Sequence, residues 1–126
     1  MTPLQQQFDA LRAEFPSATI EPLPSGAALI SIPEFQLPPG WSQPRTTVRF
    51  LAPVGYPLAK PDSFWASPQL RLQNGAMPQA ANQSPVPEVN GAPQLMFSWH
   101  LGKWNPNRDC LLTYLRVIEQ RLRQVQ

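Results

Sequence analysis

Seventeen prolines in 126 residues constrain this chain more than any other feature. That density is roughly two to three times ordinary usage. Each proline lacks an amide donor, fixes φ near −65° and pushes the residue before it toward extended backbone. A mostly helical protein is excluded; short strands joined by stiff, extended connectors are favoured. The length suits one domain near the commonest domain size, so residues 1–126 are read as a single unit. An apolar content of 42% is enough to give it one core.

Two segments are written as helices. Thr2 is a candidate cap, Pro3 suits the first helical position, and Gln5 stands where a capping box places Glu or Gln. Leu4, Phe8, Leu11 and Phe15 then form one apolar stripe, which Pro16 ends. Near the other end, Leu111, Leu115, Ile118, Leu122 and Val125 alternate spacings of four and three over about four turns. Asn105 and Pro106 read as the cap and first turn ahead of that helix.

Strands fill the space between. In Ala27–Ile32, Leu29 and Ser31 take one face, Ile30 and Ile32 the other, and Pro33 with the Leu37–Trp41 turn closes the run. Thr46–Leu51 alternates most cleanly, with Val48 and Phe50 opposed to Thr47 and Arg49. A fourth strand is expected around Asp62–Ala66. Helix, strands joined by turns, then helix predicts an α+β fold: an N-terminal helix, an antiparallel meander of about four strands, and a C-terminal helix packed on the sheet. Residues 71–94 show no period and exceed ordinary connector length, so they read as a long irregular loop, either a plain surface loop or a lid or partner-binding segment.

Several function classes fall away. A net charge of +2 is weak, and Arg108, Arg116, Arg121 and Arg123 along the last helix read as solvated surface rather than a phosphate footprint, so no nucleic-acid partner is expected. One cysteine excludes an internal disulfide framework. One His, one Cys and scattered carboxylates assemble no metal set, the glycines are isolated, and no carboxylate pair stands at a short motif spacing. No cofactor is expected. The opening Met1–Gln7 does not read as a signal peptide, and no stretch approaches the roughly 18–20 apolar residues that span a bilayer. A cytoplasmic protein without a membrane partner is the expectation.

Three side chains are candidates for chemistry. His100 is the single histidine, and on an extended segment it shares a face with Ser98, two residues away. It reads either as a general base beside Ser98 or Lys103, or as a ring bracing a turn. Cys110 lies just inside the last helix, beside Arg108, in the electropositive setting where thiolates act as nucleophiles. It equally suits a buried core thiol. Lys60 and Lys103, the only lysines, read as solvated surface or as attachment points for an acyl group.

The ordered set Pro53-Val54-Gly55-Tyr56-Pro57, Lys60-Pro61-Asp62-Ser63-Phe64, and Trp104-Asn105-Pro106 followed by Leu111, Leu115 and Ile118 resembles the ubiquitin-conjugating (UBC) family, in its divergent bacterial branch. The resemblance implies a UBC-like fold. It also implies an activating enzyme and a ubiquitin-like modifier protein as partners, in a bacterial modification operon for which antiphage defence is one setting. In that family a His-Pro-Asn turn precedes a cysteine about eight residues before the Trp-x-Pro. Here that count reaches Met96, no His-Pro-Asn occurs, and the 71–94 segment falls where the turn belongs. Three readings follow. One is a noncanonical conjugating protein, a modifier transferase in which Ser98, His100 or Cys110 substitutes for the missing thiol, or which positions a reaction performed on the activating enzyme. The second is a catalytically inactive adaptor that binds the activating enzyme or modifier. The third is an α+β interaction module unrelated to the family.

Overall fold

A computed structural model describes residues 3–89, 91–98 and 103–126. Helix α1 spans Pro3–Glu14, followed by strands β1 (Thr19–Pro22), β2 (Ala28–Gln36), β3 (Arg45–Ala52), β4 (Phe64–Ala66), β5 (Ala81–Ser84) and β6 (Gln94–Phe97), and helix α2 spans Leu111–Arg123. The strands form one antiparallel sheet in the order β1-β2-β3-β4-β6-β5. The α+β class and the two helices follow the sequence reading. The sheet has six strands rather than about four: β1–β4 make the meander, and β6 then β5 extend it past β4.

Alternation on the strands builds two unequal layers. Ile30, Ile32, Val48, Phe50, Phe64, Leu95 and Phe97 are buried on the inner face with Phe8 and Leu11 of α1 and Leu111, Leu115, Ile118 and Leu122 of α2. Register lines up Phe50 with Phe64 and Phe64 with Phe97, and the last two rings stack at 4.7 Å. Tyr114 of α2 then packs on Phe50 at 5.3 Å. Residues of opposite parity, Leu29, Leu51, Trp65 and Met96, gather on the outer face with Leu23, Val86 and Val89.

Four local readings are corrected. Pro33 does not close β2; the strand runs to Gln36 through a bulge between Ile32 and Phe35, with Glu34 at φ +58. A bulge is where a strand tolerates proline, because no ladder amide is required there. Asn105 and Pro106 do not start α2. Asn105 closes its own turn, accepting the amides of Arg108 (2.9 Å) and Asp109 (2.7 Å) on its carbonyl, and α2 begins six residues later, after Cys110.

Arg121 is not surface. It is buried, its guanidinium lies 5.1 Å over the Phe97 ring, and it donates to the carbonyls of Gln79 (2.8 Å), Gln124 (2.8 Å) and Gln126 (3.0 Å). Burial lowers its pKa below the usual arginine range. Arg116 does lie on the exposed face, paired with Glu14 of α1 at 2.6 Å.

The stretch read as a long irregular loop holds β5. Before that strand, Leu72 bridges to Trp41 and Gln73 donates to the Gly40 carbonyl at 2.8 Å. After it, Val86 is buried in the outer cluster, and Glu88 accepts both the amide (2.9 Å) and hydroxyl (2.6 Å) of Ser25. Polar side chains along β5 hid a strand that backbone pairing with β6 creates.

Candidate functional site

The turn after β3 is built by Gly55 and two prolines. Tyr56 donates its amide to the Pro53 carbonyl at 2.9 Å, and Leu58 donates to Gly55 at 2.8 Å. Gly55 sits at φ +87, where a side chain is strained, and the Tyr56–Pro57 peptide is cis. Leu58 stands at the outside of this turn, 81% exposed.

Trp104 closes over the turn. Its indole N–H donates to the Pro57 carbonyl at 2.7 Å, and its ring tilts against Tyr56 at 5.9 Å. The Tyr56 hydroxyl donates to Gln7 Oε1 on α1, and the same oxygen accepts the amide of Leu111 at 3.2 Å. One glutamine thus joins α1, the Tyr56–Pro57 turn and the first amide of α2. Burial, reinforced by the negative potential of Cys110 and Asp109, holds the Tyr56 phenol well above its ordinary pKa, so it stays a hydrogen-bond donor.

Cys110 occupies the N-cap of α2, half-buried, rather than a position inside the helix. Thr113 Oγ1 accepts the Cys110 amide at 3.0 Å and lies 3.6 Å from its sulfur. The chain's single thiol stands one residue before the Leu111 amide that Gln7 accepts, and near enough to Tyr56 to act on its phenol electrostatically. Sequence reading singled out Cys110 and Trp104 but missed Gln7 and Tyr56 as their partners; nothing in the stripe of α1 marks Gln7.

The other candidates stand elsewhere. Ser98 is exposed at the end of β6, its amide donates to the Ala80 carbonyl at 2.9 Å, and among the described residues its hydroxyl has no hydrogen bond. His100 lies outside the described residues, so the Ser98–His100 face does too. No hydrogen bond among the described residues joins Ser98 to Cys110. Of the lysines, Lys60 is half-buried in the turn before β4 and Lys103 is exposed. Met96, reached by counting back from Trp104, sits mid-strand between Trp65 and Asn82 and cannot belong to a turn.

A proline-centred turn does follow β4: Ser67-Pro68-Gln69, in which Leu70 donates its amide to the Ser67 carbonyl at 3.1 Å. Its central proline has serine and glutamine at its flanks. Ser67 Oγ accepts from the Thr46 hydroxyl (2.9 Å) and the Thr47 amide (3.2 Å), so this serine braces β3 against β4. The sequence signal was the Ser-Pro directly after the apolar run Phe64–Ala66. Among the described residues no group of His, Cys, Asp or Glu could hold a metal ion, and no helix is long and apolar enough to cross a membrane.

A helix, an antiparallel meander, a Tyr-Pro turn roofed by a tryptophan, and a second helix across the same sheet face define an E2-like protein. The chain belongs to prokaryotic E2 family E, whose model matches residues 12–125. No curated protein and no solved structure matches it.

Proposed function

We propose that this E2-like protein receives a ubiquitin-like modifier from an activating enzyme in a bacterial protein-modification pathway, with Cys110 as the covalent carrier. The observation that supports this reading is the position of the single thiol: at the N-cap of α2, one residue before the Leu111 amide held by Gln7, and electrostatically coupled to Tyr56. In the step, the Cys110 sulfur attacks the activated carbonyl carbon of the modifier's C-terminus. A sulfur–carbon bond forms, the activating enzyme's leaving group departs with the electron pair of the bond that breaks, and the proton given up by the thiol ends on that leaving group. Ser98, with His100 as its base, is the competing oxyester carrier. The pathway operates in the cytoplasm, and antiphage defence is the setting we infer.

A second reading, an adaptor that binds the activating enzyme or modifier without a covalent step, is favoured by the Ser67-Pro68-Gln69 turn. It offers neither an imidazole nor a thiol beside β4.

The test is incubation with a cognate activating enzyme, the modifier and ATP. A thiol-labile adduct that disappears in Cys110→Ser supports the first reading. A hydroxylamine-labile, thiol-stable adduct lost in Ser98→Ala and His100→Ala moves the carrier to Ser98. No adduct, with a stable complex retained, leaves the adaptor.

A further inference from the structure

The sheet ends in two edge strands, β1 and β5, each four residues long. Length does not tell them apart, but chemistry does. On β1, Leu23 donates its amide to the Ala27 carbonyl in register with β2, which turns Ile20 and Pro22 outward. Pro22 has no amide to offer, and exposed Glu21 sets a carboxylate beside it. Proline and charge are ordinary devices that keep an edge from pairing.

Strand β5, Ala81-Asn82-Gln83-Ser84, carries neither device. The Ala80 carbonyl accepts the Ser98 amide at 2.9 Å, in register with the β5–β6 pairs. A trans peptide points its N–H away from its C=O, so the Ala81 amide faces out from the sheet. Alternation then turns the main-chain groups of Ala81 and Gln83 outward, and those of Asn82 and Ser84 toward Met96 and Gln94. Among the described residues, those outward groups have no hydrogen-bond partner. The open stretch is bounded on both sides. Gln79 already donates its amide to the Gln126 carbonyl at 3.2 Å, and Pro85 follows Ser84 without an amide.

We propose that this edge pairs with the same edge of a second copy, antiparallel about a two-fold axis at Asn82, to make one sheet continuous across both chains. With the axis there, Ala81 lies opposite the partner's Gln83, so each outward amide on one copy meets a carbonyl on the other. Neutral side chains make identical strands compatible. Exposed Asn82 faces the partner's Asn82 across the axis, where an amide supplies both donor and acceptor and two like charges would repel. A foreign strand is selected mainly by pockets for its alternate side chains. Strand β5 presents small or polar side chains instead, which suit a copy of itself. The strands are short, so the pair is a weak, concentration-dependent dimer. It is independent of Cys110 and of any covalent step.

The experiment is sedimentation equilibrium of the whole chain from about 10 μM to about 1 mM, where weak complexes populate, with ¹⁵N NMR over the same series. The expected result is a reversible monomer–dimer equilibrium, with amide shifts that grow with concentration and are largest at Ala81 and Gln83. Gln83→Pro deletes one outward amide and leaves the pairing with β6 in place, as an edge strand allows. It weakens the dimer by at least about tenfold while its circular dichroism spectrum stays that of a folded protein. Asn82→Asp and Asn82→Lys each lose self-association at low salt, and an equimolar mixture of the two restores a dimer, because unlike charges then meet at the axis. A monomer at every concentration, a dimer that folded Gln83→Pro leaves intact, or a mixture of the charged variants that stays monomeric would overturn the proposal.

Discussion

Trp104 donates its indole N–H to the carbonyl of Pro57 at 2.7 Å, 47 residues away in sequence. The bond joins the two proline-bearing motifs that give the chain its family likeness. It also fixes the approach to α2, because the Tyr56 ring under Trp104 reaches Gln7, and Gln7 reaches the first amide of the helix.

Trp104→Phe keeps most of the ring contact and leaves the Pro57 carbonyl without its donor. Loss of one such bond costs about 1 kcal/mol, read as a lower urea midpoint at unchanged m-value. Gln7→Leu removes the shared acceptor and is expected to cost more than Trp104→Phe, since both the Tyr56 hydroxyl and the Leu111 amide lose their partner.

Arg121→Met removes the donor for three carbonyls, at Gln79, Gln124 and Gln126, and a loss of about 3 kcal/mol or more is expected. Arg121→Lys does not rescue it, because a point charge on a flexible stem cannot span three acceptors as the planar fork does. Hydrogen exchange checks the location: protection falls first at residues 79–84 and 124–126.

Gly40 sits at φ +110, and a Cβ there would lie 2.7 Å from Val125 Cγ1. Gly40→Ala is therefore strained both in its backbone and against the residue that follows α2, and a cost of about 1–3 kcal/mol is expected. Adding Val125→Ala relieves the steric part alone. Thermal unfolding of the single and double variants separates the two contributions.

Tyr56 and Tyr114 both have phenols raised above their ordinary pKa, first by burial, then by nearby negative charge. A raised folded-state pKa stabilises the fold fully below the unfolded value, near 10. Above it the unfolded chain releases protons that the folded chain retains. Stability is thus expected to be flat with respect to these groups at neutral pH and to fall as pH rises past about 10. Replacing each tyrosine with phenylalanine should flatten that alkaline limb in urea titrations.

Glu88→Ala releases the connection between β5 and β6 from Ser25 without touching the core. The pair is exposed, so the unfolding midpoint should barely move. Amide exchange at residues 86–89 should accelerate, showing that the carboxylate, rather than the buried Val86 alone, holds this connection in place.

The sequence by itself determined the parts whose signal is local. Pro53 and Pro57 set the turn after β3, the four-three spacing of Leu111 to Leu122 marks one buried helix face, and alternation in Thr46–Leu51 marks one buried strand face. Those constraints act between residues close in the chain, so they are legible there. The tertiary structure alone decided what depends on distant partners. Ala81–Ser84 is a strand because β6 supplies its hydrogen bonds, although its side chains are small or polar. Arg121 is interior because Phe97 and three carbonyls surround it, although its charge and position on the helix read as surface. Cys110 became the N-cap of α2 because Asn105 and Pro106 spend their capping capacity on a turn of their own. Local residue chemistry fixed the helix faces and the Pro53–Pro57 turn, while Pro33 stayed inside a bulged strand. Long-range pairing fixed which side chains those elements bring together.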